Sequence, residues 1–228
     1  MQTRESAVTF GLAFLATFVI AAGLAPFGRL RADRTTERGP AAAQNERITA
    51  LDGAAIYVLF IALAITVVRI GEPLSWHYLV GFLLIPPTAL KLWTTGSRFA
   101  HYYGGSATFR QAGPPPLFLR FVVAPVLVVS TVAVFATGLE LWAFGLAFGD
   151  GWRTAHALSA VVVILSAAAH VIGHGRRSAA AAVEEASSST PAAITPRSIV
   201  VGSLLLGLAL AFASLLYVTP FPSVSFGG

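Results

Sequence analysis

The sequence contains no cysteine. Disulfides, iron–sulfur clusters and thiolate metal sites are therefore excluded. Charge is scarce as well. Only 11% of the residues are Asp, Glu, Lys or Arg, against roughly 25% in a soluble globular domain. That is too little to coat a water-facing surface. Hydrophobic residues instead make up 56% of the 228 positions, and the mean hydropathy is +0.75. The formal net charge of +5 does not point to nucleic acid, because the charges fall in loops between apolar runs, which is how membrane orientation is encoded.

Six apolar stretches stand out: Val8–Pro26, Ala54–Ile70, Trp76–Trp93, Leu117–Leu139, Arg153–Gly173 and Ser198–Val218. Each is about 17–23 residues long, the length a helix needs to cross roughly 30 Å of hydrocarbon. The expected fold is an all-α integral membrane bundle of about six transmembrane helices. Pro86 and Pro87 should kink the third stretch, and Pro125 should bend the fourth. The first stretch does not read as a cleaved signal peptide. Its only early cation, Arg4, stands beside Glu5, and Arg29, Arg31, Arg34, Arg38 and Arg47 follow it, so a retained helix is expected.

The loops alternate in charge. The first carries those five arginines. The third has Arg98 and Arg110, flanked by Lys91 and Arg120, and the fifth has Arg176, Arg177 and Arg197. The even loops balance Arg69 with Glu72, and Arg153 with Glu140 and Asp150. Under the positive-inside rule, six helices in the cell (inner) membrane would leave both termini outside. Trp76, Trp142 and Trp152 then fall at outer ends and Trp93 at an inner one, where indoles anchor. The segments Arg31–Arg47 and Ser178–Pro196 have no apolar material to pack and read as mobile linkers. The expected organisation is a first helix and basic loop over 1–53, a four-helix unit over 54–175, a linker over 176–196, and a last helix with a short tail over 197–228. No internal repeat is apparent.

All five histidines, His77, His101, His156, His170 and His174, lie in the central unit. An imidazole within a bilayer is costly and calls for a partner. His156 and His170 are fourteen residues apart on one expected helix. That is roughly −40° of rotation and about 21 Å of rise, so they share a face near opposite leaflets. His174 lies one turn beyond His170. The third helix runs the opposite way, so His77 falls at the depth of His156, and His101 at the depth of His170 and His174. Two imidazoles can ligate a haem iron from both faces inside a helix bundle. Zinc without cysteine would want three or four converging ligands, and the outer layer offers two, with Asp150 the nearest carboxylate in sequence.

The run SWHYLVGFLLIPPTALKLWTTGSRFAHYYGG over Ser75–Gly105, the Thr154-Ala155-His156 stretch and AHVIGH over Ala169–His174 resemble the histidine-bearing helices of bacterial membrane b-type cytochromes. The group is the cytochrome b561-like and hydrogenase or formate-dehydrogenase cytochrome b subunits, and the resemblance covers Ala54–Gly175, about half the chain. It implies a four-helix unit holding one or two haem b groups. Such a unit passes electrons between a quinone or partner subunit and a redox enzyme, a molybdopterin oxidoreductase being one such partner. It implies axial ligands at His77, His156 and His170, with His174 a further candidate. One position departs from the two-haem pattern: fourteen residues after His77 stands Lys91, so an inner haem would need His101. Lys91, Arg98 and Arg153 are candidate propionate partners, and equally ordinary interfacial cations.

Two other classes compete. A transporter with a histidine relay would want an acid at mid-membrane and paired broken helices, and Glu140 is the only acid placed close to an expected helix body. A cofactor-free assembly subunit would leave the histidine layers to chance. No nucleophile–base constellation, phosphate-binding loop or soluble catalytic domain is apparent, so a self-contained enzyme is not expected.

Overall fold

In a computed structural model of the chain, residues 40–68, 74–110, 118–187 and 195–221 are described. The expected first span, Val8–Pro26, lies outside them. The described residues are helical, with no strand among them. We number the helices α1 (Pro40–Val68), α2 (Ser75–Tyr103), α3 (Ala107–Arg110), α4 (Ala124–Phe144), α5 (Gly151–Ser187) and α6 (Pro196–Ser214). Four segments are long and apolar enough to cross a membrane: Pro40–Val67, Leu119–Phe144, Gly151–Ile172 and Pro196–Ser214. Helix α2 is as long as α1, but His77, Pro86, Pro87 and Lys91 make it more polar.

The distribution of side chains is that of a lipid-solvated protein. Val129, Leu158, Leu165, Leu205 and Phe212 are all more than half exposed, while Asp52, Thr88, Thr94, Ser130, Thr131, Thr137 and Ser166 are buried. A water-soluble protein would not leave so much apolar surface in the open. The protein is a multi-pass helical membrane protein.

Several helices outrun their expected bounds. Helix α1 is already helical at Pro40, where this stretch of described residues begins, rather than from Ala54, so the last eight residues of the presumed Arg31–Arg47 linker are helical. Helix α5 runs on to Ser187. The first ten residues of the presumed Ser178–Pro196 linker are therefore helix, since alanine, the best helix former, occupies four successive positions from Ala179. Thr195 caps α6 in a reciprocal box with Ser198, ahead of Pro196.

The prolines act locally. Pro125 follows a π-helical turn over Leu119–Val123, closed by Ala124 N–H donating to the Leu119 carbonyl. The wider turn accommodates the donor that Pro125 lacks, as π-bulges do. Pro87 leaves the Leu83 carbonyl without its usual helical donor. That oxygen lies against Gly207 of α6, only 2.3 Å from where a Cβ would sit, an approach open to glycine alone.

Helices α1, α2, α4 and α5 form the four corners of a bundle. The hairpins α1–α2 and α4–α5 pack tightly within themselves, α5 packs on α1, and α2 touches α4 only lightly. Helices α2 and α5 are diagonal, with no Cα–Cα approach within 8 Å between them. Helix α6 packs outside, on α2 and α1. The segment after it returns to the end of α4, where Tyr217 Oη donates to the Ala143 carbonyl at 2.6 Å and Thr219 Oγ1 to the Trp142 carbonyl at 2.6 Å. These are terminal carbonyls that the helix cannot satisfy itself. Trp142 packs against both Phe82 of α2 and Tyr217, with ring centroids 4.8 and 4.7 Å apart.

The Gly207 contact has a measurable consequence. Gly207→Leu should lower stability by about 1–3 kcal/mol, because the atom in the way is backbone and cannot swing aside. Gly202→Leu on the same helix, where a Cβ meets open space, should be close to neutral. Melting of both variants in detergent provides the comparison.

Candidate functional site

Four side chains, one from each corner helix, make up a single layer near one end of the bundle. They are Thr66 on α1, His77 on α2, Thr137 on α4 and His156 on α5. The imidazoles of His77 and His156 face each other across the bundle axis, with ring centroids 6.3 Å apart and planes at 85°. The backbones of their two helices stay apart, so the side chains span the axis.

Each ring is fixed by its neighbour in the same hairpin. Thr66 Oγ1 donates to the Leu63 carbonyl at 2.6 Å, which uses its only hydrogen. Its 3.1 Å contact with His77 Nδ1 must then run from the imidazole N–H to the hydroxyl oxygen. The second hairpin repeats this. Thr137 Oγ1 donates to the Ala133 carbonyl at 2.7 Å, and His156 Nδ1 lies 3.1 Å from that hydroxyl and 3.0 Å from the Val134 carbonyl. A carbonyl can only accept, so Nδ1 of His156 carries the proton. Both rings therefore carry a proton on Nδ1, and in the neutral imidazole this leaves the Nε2 lone pair available to a ligand. Metal-binding histidines have this arrangement, in which the second nitrogen donates outward and sets the ring's orientation.

Gly138 lets the His156 ring lie against α4. A Cβ there would come within 3.0 Å of His156 Cε1, tighter than an ordinary contact. Gly81 lies one turn after His77, and a Cβ there would meet nothing within 4 Å. Gly145 has φ +62°, and a Cβ would lie 2.8 Å from the Pro220 carbonyl, so its role is to let the tail close on α4. Two buried polar groups are near neighbours of the pair in sequence. The Tyr78 hydroxyl and the Glu140 carboxylate have no hydrogen-bond partner among the described residues.

The other sequence-nominated residues are not gathered into this layer. His101 is exposed, donates Nδ1–H to the Ser97 carbonyl at 2.7 Å and stacks on Phe109 at 4.9 Å. His170 is half-buried on α5, fourteen residues beyond His156. His174 is on α5, with a side chain outside those described. Arg153, exposed in the first turn of α5, pairs with Asp150 just before the helix at 3.4 Å, and Arg98 is half-buried on the last turns of α2. Lys91 donates to the Thr49 carbonyl of α1.

Sequence reading missed the two threonines and Asp52. Thr66 and Thr137 carry a faint signal, being hydroxyls within apolar runs near a histidine of the next helix. Asp52 escaped because the helix was expected to begin at Ala54, whereas it lies well inside α1 and is fully buried.

With two imidazoles as the complete donor set, a resident metal must bring its remaining ligands with it. Among the described residues no group of three or more His, Cys, Asp or Glu side chains could hold a metal ion, which disfavours the zinc reading. Two imidazoles ligating one ion from opposite sides have centroids about 6 Å apart, from a nitrogen–metal bond of roughly 2 Å plus the depth of each ring. The observed 6.3 Å matches that span.

The tautomer assignment is open to direct measurement. In 15N-histidine NMR of the ligand-free protein, His77 and His156 should both show a protonated Nδ1 and a bare Nε2. Their signals should be identified by loss in His77→Gln and His156→Gln. A bare Nδ1 on either ring would contradict the hydrogen-bond scheme.

No protein-family model matches the chain, and neither curated proteins nor solved structures give a match.

Proposed function

We propose that the chain is a membrane b-type cytochrome, holding haem b between His77 and His156 and passing electrons to or from a partner oxidoreductase subunit. The observation that carries this reading is the facing pair of Nδ1–H imidazoles, 6.3 Å apart on diagonal helices. When bound, the haem supplies a one-electron iron couple. The chain's own residues do the rest. His77 and His156 would each supply an Nε2 lone pair to the iron. Thr66, Thr137 and the Val134 carbonyl hold the rings in place and raise their basicity as ligands. Apolar helices on all sides exclude water and lower the local dielectric, the setting in which a buried iron's potential is tuned. Glycine at positions 81 and 138 keeps bulk away from the pair.

On this reading the loop charges orient the bundle in the cell membrane with the His77 end outside. Electrons would pass between that site and a quinone or a redox enzyme, with a molybdopterin oxidoreductase the partner implied by the family resemblance. A cofactor-free subunit has no use for two oriented imidazoles across a bundle axis.

The reading is tested by colour. Protein expressed with ample haem should be red, with a low-spin bis-imidazole spectrum that sharpens on dithionite reduction. A colourless preparation would reject it. His77→Ala and His156→Ala should each abolish that spectrum, whereas His101→Ala should retain it. Thr66→Val and Thr137→Val should keep the spectrum but weaken haem retention by about 10–100-fold, read by transfer to apomyoglobin.

A further inference from the structure

Fourteen residues along each helix from the histidine layer, about 21 Å away, the α1–α2 interface holds a second polar layer. Thr66 is replaced there by Asp52 and His77 by Lys91. Asp52 has no exposed surface, and neither of its carboxylate oxygens receives a hydrogen bond among the described residues. It lies about 18 Å inside α1 from Pro40. Lys91 reaches across from α2 into the same turn of α1. Its ammonium donates to the Thr49 carbonyl and sits 2.6 Å from the Cβ position of Gly53, next to Asp52. The ammonium and carboxylate attract each other, yet the lysine's hydrogen bond goes to backbone. Towards the end of the bundle the polar stripe continues, with Asn45 Nδ2 donating to the Thr94 carbonyl at 3.1 Å.

A carboxylate with no donor at either oxygen is very costly in a low-dielectric interior. A neutral carboxylic acid in the same place is far cheaper, and an intramembrane acid with a named basic partner is by default a working group. We propose that Asp52 is a proton-storage site inside the membrane, loaded through Lys91 from the aqueous phase at the Asn45–Thr94 end. In the loading step an Nζ–H bond of Lys91 breaks and an O–H bond forms on Asp52. The ammonium and carboxylate become a neutral amine and a neutral acid, and a hydronium ion at that end then reprotonates Lys91 and is left as water. The balance is one proton taken from the aqueous phase by Asp52, with no electron transferred.

The groups that bear on this charge come from every helix packed against α1. They are Lys91 on α2, Arg110 on α3, His170 on α5, Arg197 at the start of α6, and Glu46, Arg47 and Tyr57 on α1 itself. Lys91 is the one whose ammonium is seated in the turn that carries Asp52. The proposal stands apart from haem, since it concerns the other half of the bundle and is read without any cofactor.

The chain has three aspartates, Asp33, Asp52 and Asp150. In wild-type protein labelled with 13C-aspartate and reconstituted in lipid at neutral pH, one side-chain carbon should resonate as a protonated carboxyl. Three carboxylate-type signals would overturn the proposal without need of any variant. Infrared spectra should show carboxylic C=O absorption that loses one component in Asp52→Asn, and a spectrum unchanged by that substitution would overturn the proposal. Lys91→Met should retain the band but slow its shift on transfer to deuterium oxide by at least about tenfold. An unchanged exchange rate would overturn the route through Lys91.

Discussion

Hydrogen bonding without water is the constraint on which this bundle depends. In hydrocarbon each unsatisfied polar group costs several kcal/mol, so side-chain hydroxyls turn back onto their own helix. Thr49 donates to Asn45, Ser159 to Ala155, Ser166 to Val162 and Ser214 to Ala211. Thr66 and Thr137 do the same, and the consequence reaches further. A threonine that has spent its hydrogen has only acceptor capacity left. It then dictates that a neighbouring histidine donate from Nδ1. The chemistry of the facing pair follows from helix hydroxyls obeying a rule of membrane solvation.

The same constraint explains how the prolines and glycines are paired. Pro87 frees the Leu83 carbonyl, and that oxygen meets Gly207 on the neighbouring helix. Cα–H groups make weak hydrogen bonds to such carbonyls, and small residues permit the close backbone approach on which membrane helix packing relies. At the end of α4 the tail plays the part that water would play elsewhere, with Tyr217 and Thr219 donating to terminal carbonyls. Gly145, with positive φ, lets the tail approach. The light contact between α2 and α4 is bridged at this level by the Phe82, Trp142 and Tyr217 rings.

The two polar layers lie the same fourteen-residue step apart on α1 and α2, and they differ in chemistry. One offers two imidazoles that each donate from Nδ1. The other offers an acid and an amine packed into one turn of backbone.

The all-α membrane character was legible in the sequence. Scarce charge, absent cysteine and long apolar runs leave no other way to satisfy a backbone in lipid. The depth match of His77 and His156 was legible too, since fourteen residues at 1.5 Å rise and alternating helix direction suffice to place them in one layer. The helix starts were less so. Alanine-rich polar stretches read as linkers, but continue as helix at Pro40–Arg47 and Ser178–Ser187 because helix propensity does not require an apolar face. That misreading concealed Asp52. Tertiary structure alone decided that α2 and α5 stand on a diagonal, so that their histidines meet across the axis. It alone decided that Thr66 and Thr137 serve as acceptors, and that Lys91 is drawn to α1. These depend on which helix lies beside which, and a pattern of apolar residues specifies that a face is buried without specifying against whom.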